Sequence, residues 1–427
     1  MSDTLSTCAT LETHCRTADT TTASSQPIEP GRGSTNRLLV ITALGVCLVL
    51  LATPSLYSAT LVVDRYGDSA THTQCSDAVD EDCSLRGAII RANEWPGGDT
   101  IEFDLPYGPP LFLRTIYLSL TGSNEDECLT GDLDITDELI IEGGGWIEID
   151  ASQLGDRVVD VRHYAGSTVV LRGLKIQGGS GVDAGGGFSV GDGSDLVLEE
   201  VEVRDNTANL SGSAGRTYGS SRLWIVESTL TGNHGGSAVI SLWGEAYITN
   251  STISGNFGGA AIAAAMDASM LWLHYSTIAD NELSGNDIAI YFDDDLVFDV
   301  AGSIIEGRCY YDPAGVISWG GSIESPGNTC GLDPSIDLVH VGDPSLWPLD
   351  YYGGVTPTHV PNVRSPAVDD PLGGIQYPPG YDQRWLPRSV DGNGDRIDAC
   401  DSGAAELQPD APTLLYDGFE SGTTLRW

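Results

Sequence analysis

The chain has 427 residues, with 20 Lys+Arg against 61 Asp+Glu and a formal net charge of −41. That balance argues against nucleic acid or an anionic membrane surface as partner. It fits divalent cations, a salty habitat, or the plain solubility of an exposed extracellular protein.

Residues 1–37 are Thr/Ser-rich and too polar to build a core. Arg32 and Arg37 then precede the uncharged apolar run Leu38–Ala52, and small residues follow Pro54 as far as Ala59. This is a signal-peptide layout, so residues 1–59 are expected to be a polar leader plus signal peptide. An uncleaved N-terminal anchor is the alternative, because no charge appears between Leu38 and Val63. Either way the remainder is expected outside the cytoplasm, secreted or at the cell surface, and with no membrane contact beyond such an anchor.

Removing the leader takes Cys8, Cys15 and Cys47 with it and leaves six cysteines. An even count in an exported chain points to three disulfides. Cys75–Cys83 and Cys309–Cys330 are expected because both are local, the second being worth about 3 kcal/mol by loop closure. Cys128–Cys400 is left by elimination. No CxxC pair points to a metal.

Thr60–Asp64 reads as a first strand. Ser84 is placed to cap a short helix from Leu85 to Asn93, with Leu85, Ala88, Ile89 and Ala92 on one face. An open solenoid exposes an apolar first coil, and such a helix can cover it, so residues 60–106 read as an N-terminal cap. Imperfect coils follow between residues 101 and 170.

From Leu171 to Arg308 six segments repeat, starting at Leu171, Leu198, Ile225, Ile248, Leu273 and Val300, at spacings of 27, 27, 23, 25 and 27 residues. A period in the twenties signals a solenoid. The first place of each unit is aliphatic, and so is the sixth: Ile176, Val203, Leu230, Ile253, Ile278 and Ile305. Places four and six share one face of a strand and point inward. Place five, Lys175, Glu202, Thr229, Thr252, Thr277 and Ile304, points outward. Four units end on Asn206, Asn233, Asn256 and Asn281. Asn tolerates the left-handed turn that ends a strand, and amides at one height can bond along the axis. The leucine-rich repeat is the rival at this period, but the intervening segments lack helix caps. The pattern therefore predicts an all-β, single-stranded right-handed parallel β-helix, monomeric, with one domain over residues 60–406. Residues 331–406 form a segment rich in Cys, Pro and Asp, and residues 407–427 a tail that reads as a sorting signal or a frayed end.

Two stretches carry a resemblance. Cys83–Asn93 (CSLRGAIIRAN), followed by Asp99–Pro106, resembles the CSLREA-type motif of bacterial secreted β-helix proteins, with Gly87 in place of the usual glutamate. Gly353–Asp370 and Asp382–Glu406 resemble the C-terminal segment of choice-of-anchor Q proteins. The resemblance implies a pectin-lyase-like solenoid and no particular reaction.

Candidate chemistry is sparse. Asp391, Asn393 and Asp395 alternate as in the first half of a calcium loop, with Asp398 near, yet Arg396 stands where the turn glycine belongs and Ser402 replaces the twelfth-position glutamate. A plain Asp/Gly turn explains the same residues. Asp293, Asp294 and Asp295 form an acidic run at a coil edge, the kind of group that holds calcium against a uronate sugar in a polysaccharide lyase. That reaction needs a base beside the metal, for which Arg204, Arg216 and Arg222 are the candidates. A solvated acidic face is the bland alternative. Asn233-His234-Gly235-Gly236 and His163 lack the aspartate motifs a glycoside hydrolase would add. Trp224, Trp243 and Trp272 fall at similar places on successive coils and suit either a sugar-stacking strip or packing. The sequence thus points to a non-catalytic surface or secreted binding protein, for polysaccharide or a cell-surface glycan. A calcium-assisted lyase or hydrolase, or a structural surface-layer component, are the alternatives.

Overall fold

The computed structural model describes residues 58–409, apart from 76–80, 106–112, 124, 163–167, 265–269, 293–295, 311–314, 371 and 374–377. Residues 1–57 of the expected leader, residues 410–427 of the tail, His163 and Asp293–Asp295 therefore lie outside the described residues.

The chain is an all-β parallel solenoid with three strand faces. The first face runs from Thr60–Val63 and Asp99–Phe103 through the opening halves of Leu139–Asp150 and Thr168–Gln177. It continues through Asp195–Glu199, Arg222–Val226, Glu245–Thr249, Met270–His274 and Val297–Ala301 to Gly315–Ser318. The second face begins at Arg114–Tyr117 and uses the closing halves of the same two long strands. It continues through Glu202–Arg204, Thr229–Thr231, Thr252–Ser254, Thr277–Ala279 and Ile304–Glu306 to Ile323–Ser325. The third face is a separate eight-stranded sheet: Leu133–Ile135, Val159–Val161, Phe188–Val190, Gly215–Thr217, Ile240–Leu242, Phe257–Ala264, Glu282–Phe292 and Arg308–Tyr310.

The aliphatic columns fall into register as the repeat requires. Leu171, Leu198, Ile225, Ile248, Leu273 and Val300 pair in series on the first face. Ile176, Val203, Leu230, Ile253, Ile278 and Ile305 do so on the second. All twelve are at most 1% exposed, and each fully buried aliphatic contributes roughly 1.5–3 kcal/mol. On the third face Phe188 fills the space of two coils, because a Cβ on Gly215 would stand 2.0 Å from its ring.

Polar ladders run beside this core. The Asn206 amide donates to Asn233 Oδ1 at 3.0 Å, Asn233 to Asn256 at 3.0 Å, and Asn256 to Asn281 at 2.9 Å. Parallel to them, Ser251 Oγ accepts from Ser228 N and Ser276 Oγ from Ser251 N. The left-handed turn residue is not the Asn, however. It is the residue before it, Asp205, Gly232, Gly255 or Asp280, with φ between 51° and 67°. The Asn amide spans coils, and the preceding residue makes the turn.

At the N-terminal end the helix spans Leu85–Glu94, capped by Ser84, whose side chain accepts from Gly87 N. Arg86 is fully buried. It pairs with Asp68 at 2.7 Å and donates to the carbonyls of Cys128, Gly131 and Asp132, tying the helix to the first coil. A side chain at Gly87 has no room, since a Cβ there would sit 1.9 Å from His72 O.

The disulfides Cys75–Cys83 and Cys309–Cys330 are formed, but Cys128–Cys400 is not: both are buried free thiols. Cys128 is fixed at the helix-capped end, its N–H on Asp134 and its carbonyl on Arg86. Cys400 lies beside Ser389 in the C-terminal segment, next to the Arg388 that reaches Asn250. Even parity cannot bring two ends of a stack within the roughly 7 Å a disulfide needs.

That C-terminal segment folds back over the second face. Gln383 donates to Thr229 Oγ1 and to Thr356 Oγ1 and accepts from Thr252 Oγ1. Ser254 pairs with His359 at 2.7 Å, and Thr277 Oγ1 accepts from Ala404 N at 2.9 Å. Ala367 packs on Ile304 and Ile323. The outward threonine column points away from the core as expected, yet Thr229, Thr252 and Thr277 are at most 1% exposed.

Candidate binding site

With the second face covered, the open surfaces are the first and third. On the first face the aromatic strip is Trp224, Tyr247 and Trp272, which share one register. Their rings stack at 5.2 and 4.0 Å with interplanar angles of 9° and 11°. Both faces of Tyr247 and the inner faces of Trp224 and Trp272 are thus closed by neighbours, which suits cohesion between coils better than a sugar-stacking strip. Tyr247 was legible in the sequence as the residue just before Ile248, matching Trp224 before Ile225 and Trp272 before Leu273. Trp243 is not part of this strip.

Trp243 lies instead beside the third face, against Tyr218 at 6.2 Å. The Arg216 guanidinium sits over the Tyr218 ring at 3.9 Å and 5.1 Å from Trp243. Among the described residues no carboxylate pairs with Arg216, and its Nε is buried without a hydrogen-bond partner. Two residues the sequence offered for different reasons, a basic candidate and a sugar-stacking candidate, therefore meet in one cluster. The register explains it: the outward column of this face reads Asp134, Asp160, Ser189, Arg216, Ser241, Ala263, Tyr291 and Tyr310. Tyr218 follows Arg216 by two, and Trp243 belongs to the next coil.

Tyr218 forms one wall of a cleft of about 400 Å³ whose other walls are Arg157, Asp160, Arg162, Ser189 and Asp192. A larger opening of about 520 Å³, around Arg114, Glu142 and Trp146, adjoins the break between Asp99–Phe103 and Arg114–Tyr117. Both openings hold arginine and carboxylate groups, but the smaller cleft also carries the Arg216–Tyr218 stack on one wall and the buried Asp132–Asp134–Asp160 group behind it, and it is the better site. At its floor Asp160 is held by Arg162 at 2.6 Å and approached by Arg157 at 3.7 Å. Behind it stand Asp132 and Asp134. Burial, and then repulsion from Asp156 and Asp160, pushes Asp132 up to about 7. Burial, and then repulsion from Asp132 and Asp160, pushes Asp134 up to about 8. No sequence motif marks these three carboxylates, because they come together only through the stacking of two coils.

The remaining candidates are placed as follows. Arg222 pairs with Asp195 on the first face, and that hydrogen bond raises its pKa. Burial works against the charge on Arg204, but Glu202 and Glu148 outweigh it and raise its pKa. Both are the opposite of what a proton-abstracting arginine needs. Asn233 and His234 belong to the coil corner, with Asn233 in the amide ladder and His234 against Phe257 at 5.4 Å. In the 391–398 loop the carboxylate of Asp391 accepts from Gly394, Asp395 and Arg396 N–H groups, and Asn393 Oδ1 from Asp395 N. Arg396 takes the left-handed φ of 75° that a glycine would take. Asp398 is exposed and joins no hydrogen bond in this loop among the described residues.

Residues 161–329 match the family described as a right handed beta helix region. No curated protein matches the chain. The matched stretch covers the coils that build all three faces, so over this span the chain is similar to right-handed parallel β-helices.

Proposed function

We propose that the protein is an exported, non-catalytic binding solenoid, and that its ligand is a glycan bearing carboxylate or dense hydroxyl groups, seated in the third-face cleft. The observation that carries this reading is Arg216. In a chain with 61 acidic residues, it stacks on Tyr218 and Trp243 with no carboxylate partner among the described residues. A guanidinium spread on an aromatic face keeps its N–H edge for a ligand, and carboxylates and vicinal hydroxyls match that fork. Arg216 stands at the rim of the cleft through Tyr218, the ring it covers, which is one of the cleft walls, and Ser189 and Tyr218 add hydroxyls inside it.

The lyase alternative requires a basic side chain able to lose its proton beside the reacting sugar. Arg162, at the cleft floor, is held protonated: Asp160 and Asp126 outweigh the opposing effect of burial. The arrangement supports retention over turnover.

The test is affinity electrophoresis of the exported chain through uronate and neutral polysaccharides, with the ultraviolet absorbance of unsaturated sugar ends followed in parallel. Retention without absorbance change is expected, and Arg216→Met should weaken it about tenfold, roughly 1.4 kcal/mol. A rise in absorbance, or retention untouched by Arg216→Met, overturns the reading.

A further inference from the structure

The three carboxylates behind the cleft form a site of their own. Asp134 and Asp160 are paired residues on adjacent coils of the third face. Asp132, just before the Leu133–Ile135 strand, brings its carboxylate to the same place. Asp132, Asp134 and Asp160 each offer an oxygen within 4.8 Å of the other two. They are 6%, 0% and 1% exposed.

Protein groups take one oxygen of each. Arg157 Nε lies 3.0 Å from Asp132 Oδ2, the Cys128 N–H donates to Asp134 Oδ2 at 3.2 Å, and Arg162 holds Asp160 Oδ2. The other oxygen of Asp134 and of Asp160, Oδ1 in both, is buried with no hydrogen-bond partner among the described residues. An orphaned buried carboxylate oxygen costs free energy unless something cationic or hydrogen-bonding meets it. Here two of them sit within one cluster. The two arginines that reach it already face other oxygens. Asp160 also lines the cleft, which supplies a route from solvent.

We infer that Asp132, Asp134 and Asp160 bind one hard divalent cation, calcium by its donor set, clamping the first two coils of the third face. All-oxygen carboxylate ligation is the chemistry of calcium and magnesium, not of zinc or copper. Oxygens that share an ion through bonds of about 2.4 Å lie no more than about 4.8 Å apart, a limit the three carboxylates meet. The cation ties Leu133–Ile135 to Val159–Val161 and, through the Cys128 N–H on Asp134, holds the preceding loop. Because Arg86 of the capping helix grips the carbonyls of Cys128 and Asp132, the clamp also seats the N-terminal cap. The inference does not depend on the glycan reading.

The experiment uses the full exported chain, stripped with chelator and titrated with calcium chloride by calorimetry and thermal melting. One ion per chain and a rise in Tm are expected. Asp160→Asn and Asp134→Asn should each lower the calcium affinity at least tenfold. Asp391→Asn, in the exposed C-terminal loop, should leave it unchanged. If Asp134→Asn fails to fold, Asp160→Asn, whose side chain keeps an oxygen for Arg162, decides alone. Absence of binding overturns the inference, as does binding lost in Asp391→Asn and retained in Asp160→Asn.

Discussion

The second and third faces are built from the same material, strands mostly of three residues with a single outward column, yet they have opposite fates. The second face shows Thr229, Thr252 and Thr277 to a returning C-terminal segment, which meets each hydroxyl with a partner and buries it. The third face buries Asp134, Asp160 and Ser189 at its N-terminal end but shows Arg216, Tyr291 and Tyr310 further along, and no returning segment covers these among the described residues. The difference lies in the partner each column meets. Identical small hydroxyls stacked at one height make a uniform strip that another chain segment can follow bond by bond. The segment follows the ends of the same column too, with Tyr351 on Lys175 and Glu202 and Ala367 on Ile304, whereas the third-face column has no such returning partner among the described residues and leaves discrete sites.

The comparison predicts large stability losses at the covered face and small ones at the open face. The largest belongs to Arg388. It is fully enclosed between the segment and the coils, donating to Asn250 Oδ1 at 3.0 Å and to the Gly403 and Ala404 carbonyls. Arg388→Met should cost about 3–5 kcal/mol in urea unfolding, because it strands Glu406 and four acceptors, the Asp401 carbonyl included. A loss below 1 kcal/mol would mean the segment is not held by this network.

Asn233→Ala comes next. It removes the middle rung of the amide ladder, where Asn233 donates to Asn256 Oδ1 and Val203 O and accepts from Asn206. About 3 kcal/mol should be lost, with earlier hydrogen exchange at Asn206 and Asn256.

Glu227 gives the pH dependence. Burial beneath the C-terminal segment, then repulsion from Glu200 and Glu199, pushes its carboxyl up to about 7 from an ordinary 4.5. The folded state therefore holds the proton more tightly than the unfolded chain. Its contribution is fully favourable below pH ~4.5, erodes as pH rises toward 7, and is constant above. Glu227→Gln should accordingly stabilise the protein at pH 8 by roughly 2 kcal/mol and leave it unchanged at pH 4, read from melts at both values. An equal effect at both pH values would show that the carboxyl is not strained by burial.

The smallest effect is expected on the open face. Tyr310, 39% exposed, stacks on Tyr291 at 5.7 Å. Tyr310→Ala should cost under about 1 kcal/mol. A loss as large as that of Asn233→Ala would mean the third face is covered in solution after all.

How much of this was legible depended on whether the signal was local. The aliphatic columns, the amide ladder, the Ser84-capped helix and the two short-range disulfides all follow from residues that recur at a fixed period or lie close in sequence. Side-chain direction in a strand alternates strictly, so a period of about 25 fixes which residues face the core and which stack on one another. Strand pairing then needed no further information, and Trp224 could be matched to Trp272 by counting. What only the tertiary structure decided involves residues on different coils or beyond the repeat. The C-terminal segment buries a column that points to solvent by every local rule. Cys128 and Cys400 are kept apart because they sit toward opposite ends of the stack. Asp132, Asp134 and Asp160, like Arg216, Tyr218 and Trp243, become neighbours only where coils of unequal length set their register. Loop lengths between strands shift that register freely, at a cost of only about 0.6 kcal/mol per doubling, so sequence spacing alone does not determine which side chains meet across it.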